Sequence, residues 1–544
     1  VTAPAPAPEA TRAVREAHAP TTPPPLPARP RTPRRQLVLR GLAGGAVVAT
    51  LVAASSIGLD LPTLVAGGED VANLVERMLP PRVDDPARIA TLALDTVLMA
   101  FLGTVLATVL SVPLAFLAAR TTTPHPAVAA VARAVITFCR AVPDLVFAVL
   151  FVRALGLGVL PGVLALALHS VGMLGKLFAD AIEDADPGPR EAVRSVGVGR
   201  LRELLNGVVP QVVPAWVSAF VYRVDINLRT SVVLGFVGAG GIGFALQDAL
   251  RGLVYPKALG IVAVILVLIA VMELLAVAVR RTLLAPRRPR FRRDRAVRWV
   301  SGGAAAALVV VSFVRLDIDP LAVVTSVPSL LEVAGRTFPP DLTSLGPALW
   351  EAMLQTLAIG LVATGIGVVL SLPLGLLAAR TVAPHPVVYA AARTTILVVR
   401  AIPELILAVV FVAAVGLGPV AGAMALGIGS IGFLGKLVAD AVEEIPPGPA
   451  EAVRSVGGGW WKVLFSAVLP QGMPSIVGSG LYLLDVNIRT STILGIVGAG
   501  GVGFLLFEAV RTLHFEVAGG IVLLVFLVVL VIERLSGWIR AQLT

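Results

Sequence analysis

The chain has 544 residues, 57% of them hydrophobic and only 14% charged, with a mean hydropathy of +0.90. A soluble domain carries about 25% charged residues, so the composition excludes a soluble enzyme and indicates an integral membrane protein. With Cys139 as the one cysteine and five scattered histidines, neither a disulfide framework nor a metal site is expected, and the net charge of +10 has to be located before nucleic acid is invoked as a partner.

Residues 1–38, rich in Ala, Pro and Arg (APAPAPEA, APTTPPPLPARPRTPRR), cannot bury a core and read as a disordered cytoplasmic tail. Apolar runs at 41–59, between Arg40 and Asp60, and at 96–119, between Asp95 and Arg120, are long enough to cross a bilayer core of about 30 Å. Further runs follow at 154–175, 204–222 and 258–272. The first half is predicted to hold six helices, near 40–59, 92–119, 141–157, 159–182, 206–237 and 256–280, with an acidic external loop at 60–91.

Between the last two of these helices Gly238, Gly240, Gly241 and Gly243 spell the dinucleotide-binding fingerprint. That fingerprint needs a strand before it, a helix after it and an acid some twenty residues on. Here the glycines end one membrane span and precede another, so they are expected to form a tight non-helical connection. Gly175-Lys176 is followed by leucine and makes no phosphate-binding loop. Residues 280–298 then carry nine arginines against Asp294 alone. This places most of the excess charge in a cytoplasmic linker, 281–298, by the positive-inside rule, and no nucleic-acid partner is expected.

The chain is written twice. A shift of 260 residues aligns Thr96–Arg251 with Thr356–Arg511 without a gap, so RTTTPHP meets RTVAPHP and DINLRTS meets DVNIRTS. The run 41–59 has an internal partner near 299–316, which favours a retained helix over a cleaved signal peptide. The predicted fold class is therefore an all-α integral membrane protein of two tandem parallel repeats, 39–280 and 299–544, each of about six transmembrane helices. An even number of spans per half puts the N-terminus, linker and C-terminus on the cytoplasmic side.

Two polar segments stand out: PGPREAVRSVGVGRLRELLNGVVP at 187–210 and PGPAEAVRSVGGGWWKVLFSAVLP at 447–470. Proline near the start, Glu191 or Glu451 close behind it and Gly197 or Gly457 as terminator predict two short surface helices between long membrane helices. This pattern resembles the EAA loop of binding-protein-dependent ABC importer permeases, matched by Glu191, Ala192, Gly197 and Pro210 and by Glu451, Ala452, Gly457, Leu469 and Pro470; Val193, Val453 and Val209 depart from it. Together with TPHP, RAVPDL/RAIPEL, LGKLFADAIE, VVPQVVP and D-x-N-x-R-T-S-x-x-L-G-x-V-G-A-G-G-x-G-F, the chain resembles the permease of phosphonate importers over about 85–280 and 345–540. The resemblance implies a type I importer fold, with two ATP-binding subunits that grip the short helices and hold ATP and Mg. It also implies an external lipid-anchored binding protein that delivers phosphonate, phosphate, phosphite or another small oxyanion. The chain itself is then expected to bind no cofactor and to be no enzyme. A membrane oxidoreductase and a passive channel are the rival classes, the first lacking a nucleotide domain and the second leaving two EAA loops unexplained.

Asp225, Asn227, Arg229 and Thr230 recur as Asp485, Asn487, Arg489 and Thr490. A charge at mid-membrane costs about 2.5–3.5 kcal/mol on insertion scales, which leaves two readings: Asp–Arg pairs at i, i+4 that neutralise themselves, or two guanidiniums that face the shared axis and attract an oxyanion. Lys176 with Asp180 and Lys436 with Asp440 present the same choice, as structural pairs or a secondary stretch of the path. His169 faces Gly429 in the repeat and reads as a hydrogen-bonded packing residue.

Overall fold

The computed structural model describes residues 34–284 and 291–543. The expected tail up to residue 33 and the linker at 285–290 lie outside the described residues. Every regular element among the described residues is helical, the only choice besides a closed barrel for a backbone that meets no water inside a bilayer. The first half runs through α1 (Arg34–Ser56), α2 (Leu61–Met78), α3 (Pro86–Ala118), α4 (Pro126–Ala141), α5 (Asp144–Leu155), α6 (Val159–Glu183), α7 (Pro187–Ser195), α8 (Arg200–Gly235), α9 (Ile242–Arg251) and α10 (Tyr255–Leu284). The second half repeats this as α11 (Phe291–Arg315), α12 (Pro320–Thr325), α13 (Val327–Arg336), α14 (Pro347–Leu377), α15 (Pro386–Ala401), α16 (Glu404–Val415), α17 (Pro419–Glu443), α18 (Gly448–Ser455), α19 (Trp460–Val497), α20 (Val502–Arg511) and α21 (Phe515–Leu543). Among these are seven long apolar helices, three bent pairs and two shorter apolar helices, Gly44–Ser56 and Gly302–Arg315. With each bent pair taken as one and the shorter helices included, they distribute as six apolar elements in each half.

The boundaries depart from expectation in four places. Helix α1 starts inside the stretch assigned to the tail, and the helical residues from Phe291 onward fall inside the stretch assigned to the linker. The loop predicted at 60–91 contains α2, whose first turn is capped by the Asp60 carboxylate accepting the Thr63 N–H at 2.8 Å. The helix expected near 141–157 is α5, and ahead of it lies α4, which was not expected and meets it at a bend of 88°; α15 and α16 repeat the corner at 82°. Pro143 and Pro403 explain it: each removes an N–H and pushes the residue before it, Val142 or Ile402, into extended backbone.

The core of each half is a crossing of three long helices, α3, α6 and α8 in the first and α14, α17 and α19 in the second. Leu98, Met99 and Leu102 of α3 pack with Leu166 of α6 and Leu234 of α8, all buried. The halves also exchange arms. Thr50 of α1 lies against Gly365 of α14, and Arg315 of α11 reaches Asp95 of α3 at 3.5 Å. Helix α2 packs on α16, and α13 on α5.

The glycine motif closes this core. Gly238, Gly240 and Gly241 all take positive φ, 91°, 79° and 74°, so the chain reverses at the end of α8 as only glycine allows without strain. The Ile242 N–H then donates to the Thr96 hydroxyl at 2.8 Å, and Val502 does the same to Thr356. The connection is non-helical, as expected, and folds onto its own bundle, so the fingerprint belongs to packing. At Gly243 a Cβ would overlap the carbonyl of Val232. Gly243→Ala is therefore expected to lower the thermal midpoint of the detergent-solubilised chain by the ~1–3 kcal/mol of an overpacked contact, whereas Gly335→Ala, with open space around it, leaves it unchanged; equal midpoints for the two variants would refute this account of the motif.

Candidate functional site

The two short helices form one candidate surface. Helix α7 starts at Pro187 behind Asp186, whose carboxylate accepts the Gly188 N–H at 2.9 Å. The start is earlier than the motif implied, so Glu191 sits in the second turn, while Glu451 falls in the first turn of α18. Gly197 and Gly457 end the helices at φ 74° and 77°. Neither helix buries a residue. Glu191, Ala192, Glu451 and Ala452 are exposed, and Val196 and Val456 stand 74% and 83% exposed at the tips.

What holds these pegs was not legible in the motif. Arg190 donates to Glu203 at 2.6 Å and to the Thr121 carbonyl at 2.6 Å, and Arg200 donates to the Thr122 carbonyl at 2.7 Å. In the second half the Trp460 indole takes over, donating to the Val382 carbonyl at 2.6 Å. Helix α7 and the start of α8 are thus tied to the turn between α3 and α4, and the start of α19 to the turn between α14 and α15. Those turns are themselves fixed where His125 and His385 accept the N–H of Ala127 and Val387. The proline that closes the motif has a local role. Pro210 has no N–H for the α-helical ladder, so the Val209 N–H reaches back five residues to Leu204 and a widened turn, Leu204–Val208, opens the long helix α8. The second half repeats it at Leu464–Val468.

The second candidate lies on α8 and α19 inside the membrane. Asn227 is fully buried and donates to Thr104 at 2.8 Å and Ser170 at 2.9 Å; Asn487 makes the same bonds to Thr364 and Ser430 at 3.0 and 3.2 Å. These asparagines pin the three-helix crossing of each half. In this arrangement both amides are engaged within their own half. Arg229 pairs with Asp225 at 3.1 Å and Arg489 with Asp485, so both arginines are balanced within their own helix. Each also crosses to the other half. Arg229 donates to the Arg400 carbonyl and Arg489 to the Arg140 carbonyl, both at 3.4 Å. Residues 140 and 400, like 229 and 489, are 260 apart, so the two halves meet about a local two-fold relation. Thr230 and Thr490 are half-buried beside them, and Thr490 bonds its own helix at the Val486 carbonyl.

Lys176 pairs with Asp180 at 3.0 Å and lines a cavity of about 380 Å³ with Arg133, Arg140, Glu183 and Glu533. Arg140 and Glu533 form an ion pair between α4 and α21 at its wall. The expected Lys436–Asp440 pair is replaced: Asp440 turns to Arg393 at 3.6 Å, a guanidinium that also holds Glu443 at 3.0 Å. His169 donates its Nδ1–H to the Val142 carbonyl, 3.1 Å away, in keeping with the packing role expected of it. One residue in this layer went unnoticed in the sequence. Arg223 is 3% exposed, donates Nε to Ser170 at 2.8 Å and leaves Nη2 buried without a partner, a state that costs about 1–3 kcal/mol. Its signal was a break in the repeat, since Leu483 stands at the matching position.

Comparison with known proteins follows the same division. A model of the family described as binding-protein-dependent transport system inner membrane component matches residues 111–287 and again 371–543. The chain is 69% identical over 495 residues, 91% of its own length and 93% of the relative's, to the phosphate-import permease protein PhnE of Mycolicibacterium smegmatis. It is 41% identical over 259 residues to the phosphite transport system permease protein PtxC of Stutzerimonas stutzeri, a match that takes 46% of this chain and 94% of that one. A solved inward-facing structure of the MetNI methionine ABC transporter shares 25% identity over 38% of this chain and all of its own matched chain, with a TM-score of 0.35. Both relatives are named as permease proteins. Two family matches covering both halves, and near-full-length identity to one relative, place this multi-pass membrane chain in the family of binding-protein-dependent transport system inner membrane components, as an ABC importer permease whose two repeats are fused.

Proposed function

We propose that this chain supplies both membrane halves of an importer for a small phosphorus oxyanion, phosphonate or phosphate with phosphite close behind, delivered by an external lipid-anchored binding protein. The observation that carries the reading is the pair of surface pegs, α7 and α18, in one chain with 69% identity to a phosphate-import permease. Two ATP-binding subunits, which hold ATP and Mg, grip one peg each. The repeats 39–280 and 299–544 act as the two permeases, joined by a cytoplasmic linker, 281–298, with both termini on the same side. Even numbers of spans and the arginines at 280–298 support that orientation.

Glu191, Ala192 and Gly197, with Glu451, Ala452 and Gly457, are the coupling residues in this reading, because they lie on helices that bury nothing of their own. Asp225, Arg229 and Thr230, with their partners Asp485, Arg489 and Thr490, line the path where the halves meet, and Lys176 and Lys436 continue it toward the pegs. The guanidiniums serve the oxyanion by planar donor forks that an ammonium lacks.

Three outcomes test the reading. Glu191→Lys with Glu451→Lys reverses the charge on both pegs, and ATPase co-purification is expected to weaken by about tenfold, the effect of ~1.4 kcal/mol, with the chain still in the membrane; undiminished assembly removes the coupling role. Native mass spectrometry of the active complex is expected to count one copy of this chain with two ATPase subunits and one binding protein, and two copies would show that fusion does not replace a permease dimer. Arg229→Lys and Arg489→Lys are expected to cut phosphate and phosphonate uptake while assembly survives. A charge-swapped chain, Arg229→Asp with Asp225→Arg and the same exchange at 489 and 485, that transports at full rate would leave these residues as structure alone.

A further inference from the structure

The repeat is broken around the polar crossing of the first half. Arg223, His169 and Met173 stand where the second half has Leu483, Gly429 and Phe433. These three are neighbours: Arg223 turns Nη1 to the Met173 sulfur at 3.4 Å, and His169 lies within electrostatic reach of Arg223, of Asp144 and of Arg489 from the other half. Arg229 and Arg489 each hold an aspartate. Among the described residues Arg223 makes no ion pair with an acid: Asp144, within electrostatic reach, accepts the Leu145 N–H at 2.8 Å on one oxygen. The guanidinium is therefore buried, charged and unused along its Nη2 edge.

The second half shows that this guanidinium is not needed for packing. There Thr364, Asn487 and Ser430 close the same hydrogen-bonded crossing with Leu483, 1% exposed, in its place. Resting on the oxyanion reading above, we propose that Arg223 is a further residue, besides Arg229 and Arg489, that holds a tetrahedral phosphorus oxyanion in transit, through its free Nη2 edge, on one side only of the local two-fold relation. A dimer of identical permeases would place two such arginines opposite each other. A single one adds a charge-assisted contact at one station of the path, beside the symmetric Arg229 and Arg489, whose charges are already offset by Asp225 and Asp485. Fusion of the halves is what permits a one-sided site.

The test uses the whole importer, this chain with its ATPase and binding protein, and measures uptake of labelled inorganic phosphate and of a labelled alkylphosphonate. Arg223→Leu copies the residue that the second half packs at this position. It is expected to lower uptake of the transported anion at least about tenfold, a loss of one charge-assisted contact, with the chain and its bound ATPase recovered in wild-type amounts. Arg223→Lys is expected to recover part of that loss by keeping the charge. Uptake by Arg223→Leu within twofold of the unmodified chain would overturn the proposal while leaving the importer reading intact. Loss of the assembled complex along with uptake would also overturn it, because Arg223 would then be a packing group. Failure of the unmodified importer to carry either anion would remove the oxyanion reading and this site with it.

Discussion

The seam between the halves depends on backbone carbonyls left without donors at a helix end. Helix α4 stops at Ala141 because Pro143 follows, and α15 stops at Ala401 because Pro403 follows. The last carbonyls of a helix have no partner within it and carry the negative end of its dipole. Inside a bilayer no water serves them. The Arg140 and Arg400 carbonyls are served instead by Arg489 and Arg229 of the opposite half. One proline per half thus breaks a helix, exposes an acceptor and calls for a donor across the seam, and the duplicated sequence supplies that donor twice.

The same economy governs the interior of each half. Asparagine in a membrane helix is costly unless its amide is satisfied, and Asn227 meets Thr104 and Ser170 at the point where α3, α6 and α8 cross. The glycine motif seals the far end of that crossing, where α8 turns back and the Thr96 hydroxyl accepts the Ile242 N–H. A pattern of four glycines that would cradle a pyrophosphate at the start of a helix in a soluble protein here lets two segments of one bundle touch. The residue types are shared, and the surroundings decide what they do.

The pegs stand out from the bundle and few contacts fix them. Helices α7 and α18 bury nothing; α7 is tied through Arg190 to the α3–α4 turn, and the starts of α8 and α19 are tied through Arg200 and Trp460 to the α3–α4 and α14–α15 turns. The ties differ in chemistry although the pegs match, which marks the two halves as related but no longer equivalent.

Length, apolar runs and the 260-residue repeat by themselves determined the membrane class, the six elements per half and the two pegs, because each of these is local in the chain or follows from hydropathy. The corner at Pro143 was written there too, but a continuous apolar run hid it. Only the tertiary structure decided the rest. Asn227 and Arg229 sit two residues apart on one helix, and packing alone sends the first to its own half and the second across the seam. Asp440 leaves Lys436 for Arg393 because a guanidinium on another helix lies within 3.6 Å. Arg223 could be read as one more arginine until its neighbours showed that no acid had come to meet it. Partners that are far apart in sequence are chosen by which helix faces turn toward each other, and no spacing along the chain encodes that.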